Sequence, residues 1–177
     1  MDSPELARLA NQWLLVDTSV WLRIDKYGDV LQKLLGSIAS KYSCTLAVHN
    51  LIVQEFMSYT ISQSVYNARL GYMNNFASLP IDKAIQETAI HITRLYAVNK
   101  ITSPSIVDTV SAAMIKKYEG KLYFLTNDIK DFPFSLFNPF SIWPFDGDHG
   151  NEVFAFYEYN PNRYLKQEQK LVKAATA

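Results

Sequence analysis

The chain has 177 residues, of which 49% are apolar and 19% charged, the balance of one ordinary globular domain with a full core rather than of a disordered chain. Its 17 cationic and 17 acidic side chains cancel, so no bulk positive field marks a nucleic-acid binder, and any such binding has to come from a local patch. A single cysteine, Cys44, excludes a disulfide framework or a zinc knuckle, and no window approaches the ~20 apolar residues of a membrane span.

The start of the chain has no basic, apolar leader of the secretory type. Together with the missing membrane span, this gives the expectation of a soluble cytoplasmic protein with no membrane partner. Ser3-Pro4-Glu5-Leu6 opens a short helix with Ser3 as its N-cap and Pro4 in the first turn. Trp13-Leu14-Leu15-Val16 is a short apolar run that stops at Asp17, with Thr18-Ser19 as a polar turn. Such a run suits a buried strand. A brief apolar segment reaches Ile24, and a helical pattern starting at Gly28-Asp29 puts Val30, Leu34, Leu35 and Ile38 on one face. Cys44 to Val48 reads as a second buried strand, which makes Cys44 a core residue.

Asn50 is the expected cap of a helix carrying Leu51, Ile52, Glu55, Phe56 and Tyr59, and a helical region continues to about Phe76. Leu79-Pro80-Ile81 reads as a strand remnant. Asp82 caps a helix with Ile85, Ala89, Ile92, Leu95 and Tyr96 at helical spacing. Ser103-Pro104-Ser105 precedes another helix, Ile106 to Tyr118, and Lys121 to Thr126 is a clear strand followed by Asn127-Asp128. Alternation of strands and helices predicts an α/β fold with a central parallel sheet and helices on its faces. From Phe132 to Tyr164 the chain is dense in aromatics and nearly free of Lys and Arg. Phe140–Trp143 and Val153–Tyr157 are candidate strands there, and the aromatics are expected to close the core or an interface between subunits. A polar, helical tail follows from Lys166.

Four acids stand at special places. Asp17 ends the first strand and Asp128 follows the last clear one. Glu55 lies beside the apolar face of its helix, and Asp108 is in the first turn of its own. Each has an ordinary structural role available. Ser105 and Asp108 form a Ser-x-x-Asp capping pattern, Glu55 can sit at a helix edge in water, and Asp17 and Asp128 can form turns. Together they differ, because α/β topology brings both strand ends and both helix starts to one edge. Clustered carboxylates repel by roughly 4 kcal/mol per close pair at an effective dielectric of 20, and a hard cation relieves this. All-oxygen donors without paired His or Cys suit Mg²⁺ or Mn²⁺ rather than zinc. Thr18, Ser19, Thr126 and Asn127 flank the acids and can orient them or bind phosphate.

Four stretches in this order, Leu14–Trp21, Val53–Phe56, Asp108–Met114 and Phe124–Phe132, resemble the PIN-domain nucleases, including the VapC-type toxin ribonucleases. The resemblance covers about residues 13 to 145. It implies a three-layer α/β/α sandwich around a parallel sheet, and metal-dependent endonucleolytic hydrolysis of RNA phosphodiesters. By the same resemblance Asp17, Glu55, Asp108 and Asp128 are the catalytic, metal-binding acids for Mg²⁺ or Mn²⁺, Asp131 is an outer-shell member, and Thr126 matches the threonine before the last acid. Further implied are a homodimer and, for the toxins, an antitoxin protein as partner. The helical lead at 1–12 and the extension at 146–177 have no counterpart in compact toxins. A second reading of the same four acids is a catalytically inactive PIN-like module that binds RNA or protein.

Other patterns carry less. A dehalogenase-type phosphatase needs a second Asp two residues after the first, where this chain has Ser19. Asp146 to Glu152 does not complete an EF-hand loop and reads as a turn. His49, His91 and His149 lack metal-type spacing, and His49 is expected to be structural. Lys26, Lys33, Arg69, Arg94, Lys100, Lys116, Lys117 and Lys130 are the cations available to border an acidic cleft.

Overall fold

A computed structural model describes residues 4–100, 104–130, 132, 135–147 and 150–176. A short 3-10 helix, Pro4–Leu9, leads into β1 (Trp13–Val16), α1 (Thr18–Tyr27), α2 (Asp29–Tyr42) and β2 (Thr45–Val48). Then come α3 (Asn50–Ser58), α4 (Gln63–Met73), β3 (Ala77–Ser78), α5 (Lys83–Val98), α6 (Ile106–Lys117) and β4 (Leu122–Thr126). The chain closes with β5 (Phe137–Gly147), β6 (Gly150–Tyr159) and α7 (Pro161–Thr176). None of the described helices is long and apolar enough to cross a membrane. Ser3, the expected cap of the first helix, lies outside the described residues.

The strands form one sheet in the order β3-β2-β1-β4-β6-β5. β1, β2, β3 and β4 are parallel, as the alternation of strands and helices predicts. The rest of the sheet differs from that expectation. β6 runs antiparallel to β4, and β5 antiparallel to β6, so the sheet is mixed. The reason is the connection: β5 and β6 turn back on each other without a crossover helix, and a short return forces the antiparallel sense. The two candidate strands of the aromatic stretch are thus the middles of longer ones. The α/β class stands, and the arrangement is compatible with three layers.

Two features of this topology position the site. β1 is flanked by β2 on one side and β4 on the other, so strand order reverses at the β1–β4 pair. In parallel sheets ligands bind beyond the carboxyl ends at such a point. Pairing of Val16 with Leu125 sets Asp17 level with Thr126.

The core explains the composition. Leu14, Leu15, Val16, Phe124 and Leu125 are fully buried in the central strands. The aromatic stretch does close the core. Phe132 has its ring centroid 4.4 Å from Phe124, 5.4 Å from Phe137 and 5.7 Å from Tyr157, and all four rings are buried. Such clusters add directional packing to large apolar burial. Other boundaries shift. The segment to Ile24 is part of α1, which begins directly at Thr18. On α2 the inward residues are Leu31, Leu35 and Ile38, whereas Val30 is exposed. The reason is at Gly28, whose φ of +60° and ψ of −139° end α1 and re-aim the chain into α2. Only glycine adopts that conformation readily. The remnant near Leu79 is β3, two residues earlier, and the helical region that follows the Glu55 helix is α4, which ends at Met73 rather than near Phe76.

Candidate functional site

Asp17 follows β1 and occupies the N-cap position of α1, yet its side chain makes no capping bond. The carboxylate turns instead toward a cleft beyond the strand ends. Oδ2 accepts the Ser19 hydroxyl at 2.6 Å and the Thr126 hydroxyl at 2.7 Å. These hydroxyls are themselves placed by the backbone beyond β4. Ser19 Oγ accepts the amide of Asn127 at 3.0 Å, and Thr126 Oγ1 accepts the amide of Asp128 at 2.9 Å. The two loops that carry Asp17 and Asp128 are therefore locked together through Ser19 and Thr126.

Asp17 is 5% exposed. Burial pushes its carboxyl above the ordinary range. The Ser19 and Thr126 hydroxyls and the Thr18 amide act the other way, and the charge of Glu55 adds to the upward shift. An ionised carboxylate here carries a desolvation cost that two hydroxyl donors offset only in part.

Asp17, Thr18, Ser19, Glu55, Asp108 and Asp128 line one cleft of about 210 Å³, with Leu22, Tyr59 and Ser105. All four acids singled out by the sequence thus reach the same cleft. Glu55 comes from the second turn of α3 and is half-buried, and Asp128 is exposed. Asp108 is 8% exposed and does form the capping box: Ser105 Oγ accepts its amide at 3.1 Å, and its Oδ2 accepts the Ser105 amide at 3.0 Å and hydroxyl at 2.6 Å. Cap and cleft-lining residue are here one side chain. Among the described residues, no three His, Cys, Asp or Glu side chains stand close enough to form a ready-made metal cage. The acids share the cleft without converging on one point.

The flanking residues divide by role. Thr18 and Ser19 line the acidic cleft, and the Thr18 Oγ1 atom is buried without a hydrogen-bond partner. Thr126 lies fully buried behind the cleft. Asn127 lines a neighbouring cleft described below. Asp131, expected as an outer-shell acid, lies outside the described residues, as does His149.

His49 rather than Asn50 caps α3. It is fully buried, its Nδ1 accepts the amide of Ile52 at 3.3 Å, and its Nε2 lies 3.0 Å from Ser111 Oγ. Since Nδ1 accepts, the proton sits on Nε2 and is donated to Ser111. His49 lines neither cleft and joins α3, which carries Glu55, to α6, which carries Asp108. Burial holds its pKa down at about 4.

Of the cations expected near the acids, Lys130 reaches the neighbouring cleft. Arg69 pairs with Asp25 and Lys117 with Asp82, while Lys116 lies over the Tyr164 ring. Residues missed from the sequence include Leu22 and Tyr59, three and four positions along their helices from Ser19 and Glu55. That spacing was the available signal, since such neighbours share a helix face. Arg23, at the same spacing from Ser19, and Glu152 were also missed. Nothing local announces Glu152, because the β5–β6 return brings it in.

Replacing Thr126 with Val keeps the volume and removes one of the two hydroxyl donors to Asp17. The expected loss is about 1 to 2 kcal/mol in urea unfolding at neutral pH. The loss shrinks in acid, where Asp17 is protonated and needs the donor less. A pH-independent loss would assign the effect to packing and to the lost acceptor for the Asp128 amide, not to the Asp17 charge.

Comparison with protein-family models and with curated proteins finds no match for this chain.

Proposed function

We propose that this chain is a PIN-like, metal-dependent ribonuclease, with Asp17, Glu55, Asp108 and Asp128 as its catalytic acids. The observation that carries the reading is the shared cleft. Four acids spread over 112 positions of sequence, on two strand ends and two helices, line one small cavity at the switch point of the sheet. Chance burial does not favour this, because each added carboxylate raises the cost of the others.

The donor chemistry fits a hard divalent cation. It is all oxygen, it includes a buried carboxylate whose charge is poorly compensated, and Thr18 Oγ1 adds a buried oxygen without a partner. Magnesium is commonly held by one or two carboxylates with several retained waters, so a cleft without a closed cage suits it. Asp17 and Asp108, the buried pair, are the residues to hold it, with Glu55 and Asp128 at the rim. When bound, Mg²⁺ or Mn²⁺ supplies a more acidic water and charge compensation for a phosphodiester. The chain's own contribution is orientation. Ser19 and Thr126 fix the Asp17 carboxylate, the Ser105 box fixes Asp108, and His49 fixes the two helices relative to each other. Ribonuclease action, a homodimer and an antitoxin partner rest on the family resemblance.

The test is cleavage of mixed-sequence single-stranded and structured RNA in Mn²⁺ and in EDTA, for the wild type, Asp108→Asn and Ser105→Ala. Metal-dependent cutting is expected from the wild type, with a loss of about a hundredfold in Asp108→Asn. Ser105→Ala loosens Asp108 but keeps the carboxylate and the Ser105 amide that it accepts, so its loss is expected to be severalfold rather than about a hundredfold. Equal loss in both variants would reduce Asp108 to a helix cap. A folded wild type that neither cuts nor binds Mn²⁺ would leave a binding module in place of the enzyme.

A further inference from the structure

A second cleft, of about 470 Å³, opens beside the acidic one and shares Ser19, Leu22 and Asp128 with it. Its remaining walls come from α1, the segment after β4, and β6. They bring Arg23, Asn127, Lys130 and Glu152 together. At the centre of this group is Glu152, with its side chain 13% exposed. Its Oε1 accepts Arg23 Nε at 2.9 Å, Lys26 Nζ at 3.4 Å and the Tyr27 hydroxyl at 3.0 Å, and its Oε2 accepts Asn127 Nδ2 at 3.2 Å.

The geometry at Arg23 is informative. Glu152 takes only the Nε proton. The two terminal nitrogens of the guanidinium donate to no group among the described residues, and Arg23 remains one-third exposed. Lys130, on the same cleft, carries no ion pair among the described residues. Arg23, Lys26 and Lys130 bring three positive charges against the two acids here, Glu152 and Asp128. A guanidinium held by Nε with its outer edge open is arranged for a bidentate contact to a tetrahedral anion. Glu152 therefore reads as the residue that orients the cationic edge, since less freedom is lost when the ligand arrives.

We propose that this second cleft is a phosphate subsite for the RNA strand next to the bond to be cut. Arg23 and Lys130 contact the backbone phosphate, and Glu152 is a positioning residue that preorients Arg23. The proposal rests on the nuclease reading for the identity of its ligand. It also gives the β5–β6 hairpin a place in substrate binding, because β6 carries Glu152.

The test is fluorescence anisotropy of a labelled single-stranded oligoribonucleotide, in EDTA so that no cutting occurs, across a salt series. Arg23→Gln and Lys130→Gln are each expected to weaken binding about tenfold at low salt. Each should flatten the slope of log affinity against log salt by about 0.7, the value for one single-strand phosphate contact. Lys170→Gln, on α7, removes the same charge from an element that lines neither cleft, and leaves the slope unchanged. Glu152→Gln is the sharper variant. On charge alone, removing an acid tightens RNA binding, whereas loss of a positioning residue weakens it severalfold.

Tighter binding by Glu152→Gln overturns its positioning role and makes it a competitor of phosphate. Unchanged binding in both Arg23→Gln and Lys130→Gln, with Mn²⁺-dependent cutting intact, overturns the subsite and leaves the nuclease. Weakened binding in those two variants, with no cutting by the wild type in any metal, keeps the subsite and overturns the nuclease. A wild type that neither binds nor cuts overturns both. Melting temperatures within a few degrees of wild type confirm that each variant is folded, and Lys130→Gln, which breaks no ion pair or side-chain hydrogen bond among the described residues, decides if Arg23→Gln is not.

Discussion

Asp17→Asn is expected to abolish cleavage while leaving the metal-free protein as stable as the wild type, or more so. The two effects have one cause. In the folded chain Asp17 is buried, its charge is raised in energy by desolvation, and Glu55 adds repulsion. Asparagine keeps an acceptor for Ser19 and Thr126 and removes the charge. The sign follows from linkage. A carboxyl whose folded pKa lies above its unfolded value lowers stability as pH rises: the cost is absent below the unfolded value and complete above the folded one. The metal-free wild type should therefore lose stability relative to Asp17→Asn as pH climbs from about 4 through the raised value. Mn²⁺ reverses the order, since a cation bound to the native state alone raises the melting temperature with concentration. Under the nuclease reading the rate falls by more than about a hundredfold. The measurements are melting curves of both proteins across pH, with and without Mn²⁺, beside the cleavage assay. A variant markedly less stable than wild type at pH 7 without metal would mean that the Asp17 charge is structural, and the site reading would lose its main support.

The second large effect lies outside the cleft. Lowering the pH from 6.5 to 4 is expected to remove about 3 kcal/mol of stability through His49 alone. Its pKa falls from 6.5 in the unfolded chain to about 4 when buried, and each unit is worth about 1.4 kcal/mol. For a group with a depressed folded pKa, the stability is present above the unfolded value and is lost as pH falls toward the folded one. The structural reason is specific. Protonation places hydrogen on Nδ1, which must accept from the Ile52 amide, so two donors face each other and the α3 cap fails. His49→Asn keeps an N-cap acceptor and removes the titration. The difference in unfolding free energy between wild type and His49→Asn should shrink or invert by about 3 kcal/mol across this interval. Parallel curves would show that the imidazole is not the group that titrates. The Nε2–H that His49 gives to Ser111 is present in both protonation states, so the failure on protonation lies at the α3 cap and not at the bond to α6.

Much of this protein is written locally. The strands ending at Asp17 and Thr126, the helix N-caps at Asp82 and Ser105, and the buried Cys44 follow from apolar runs and capping patterns that act within a few residues. Asp17, Asp128 and Asp108 were legible for the same reason, each standing where a strand stops or a helix starts, and Glu55 from its place beside the apolar face of α3. The sense of β5 and β6 was not legible, because it depends on how a return connection packs against β4, which alternation alone does not encode. The capping role of His49 was hidden too, since an imidazole becomes a neutral acceptor only when burial removes water. Tertiary structure alone decided that Asp17 turns away from its helix to meet Ser19 and Thr126. It also decided that Glu152, 129 residues after Arg23, holds that guanidinium by one nitrogen. Local sequence sets backbone conformation through short-range sterics and hydrogen bonds. The distances between side chains far apart in the chain are fixed only when the sheet registers and the core closes.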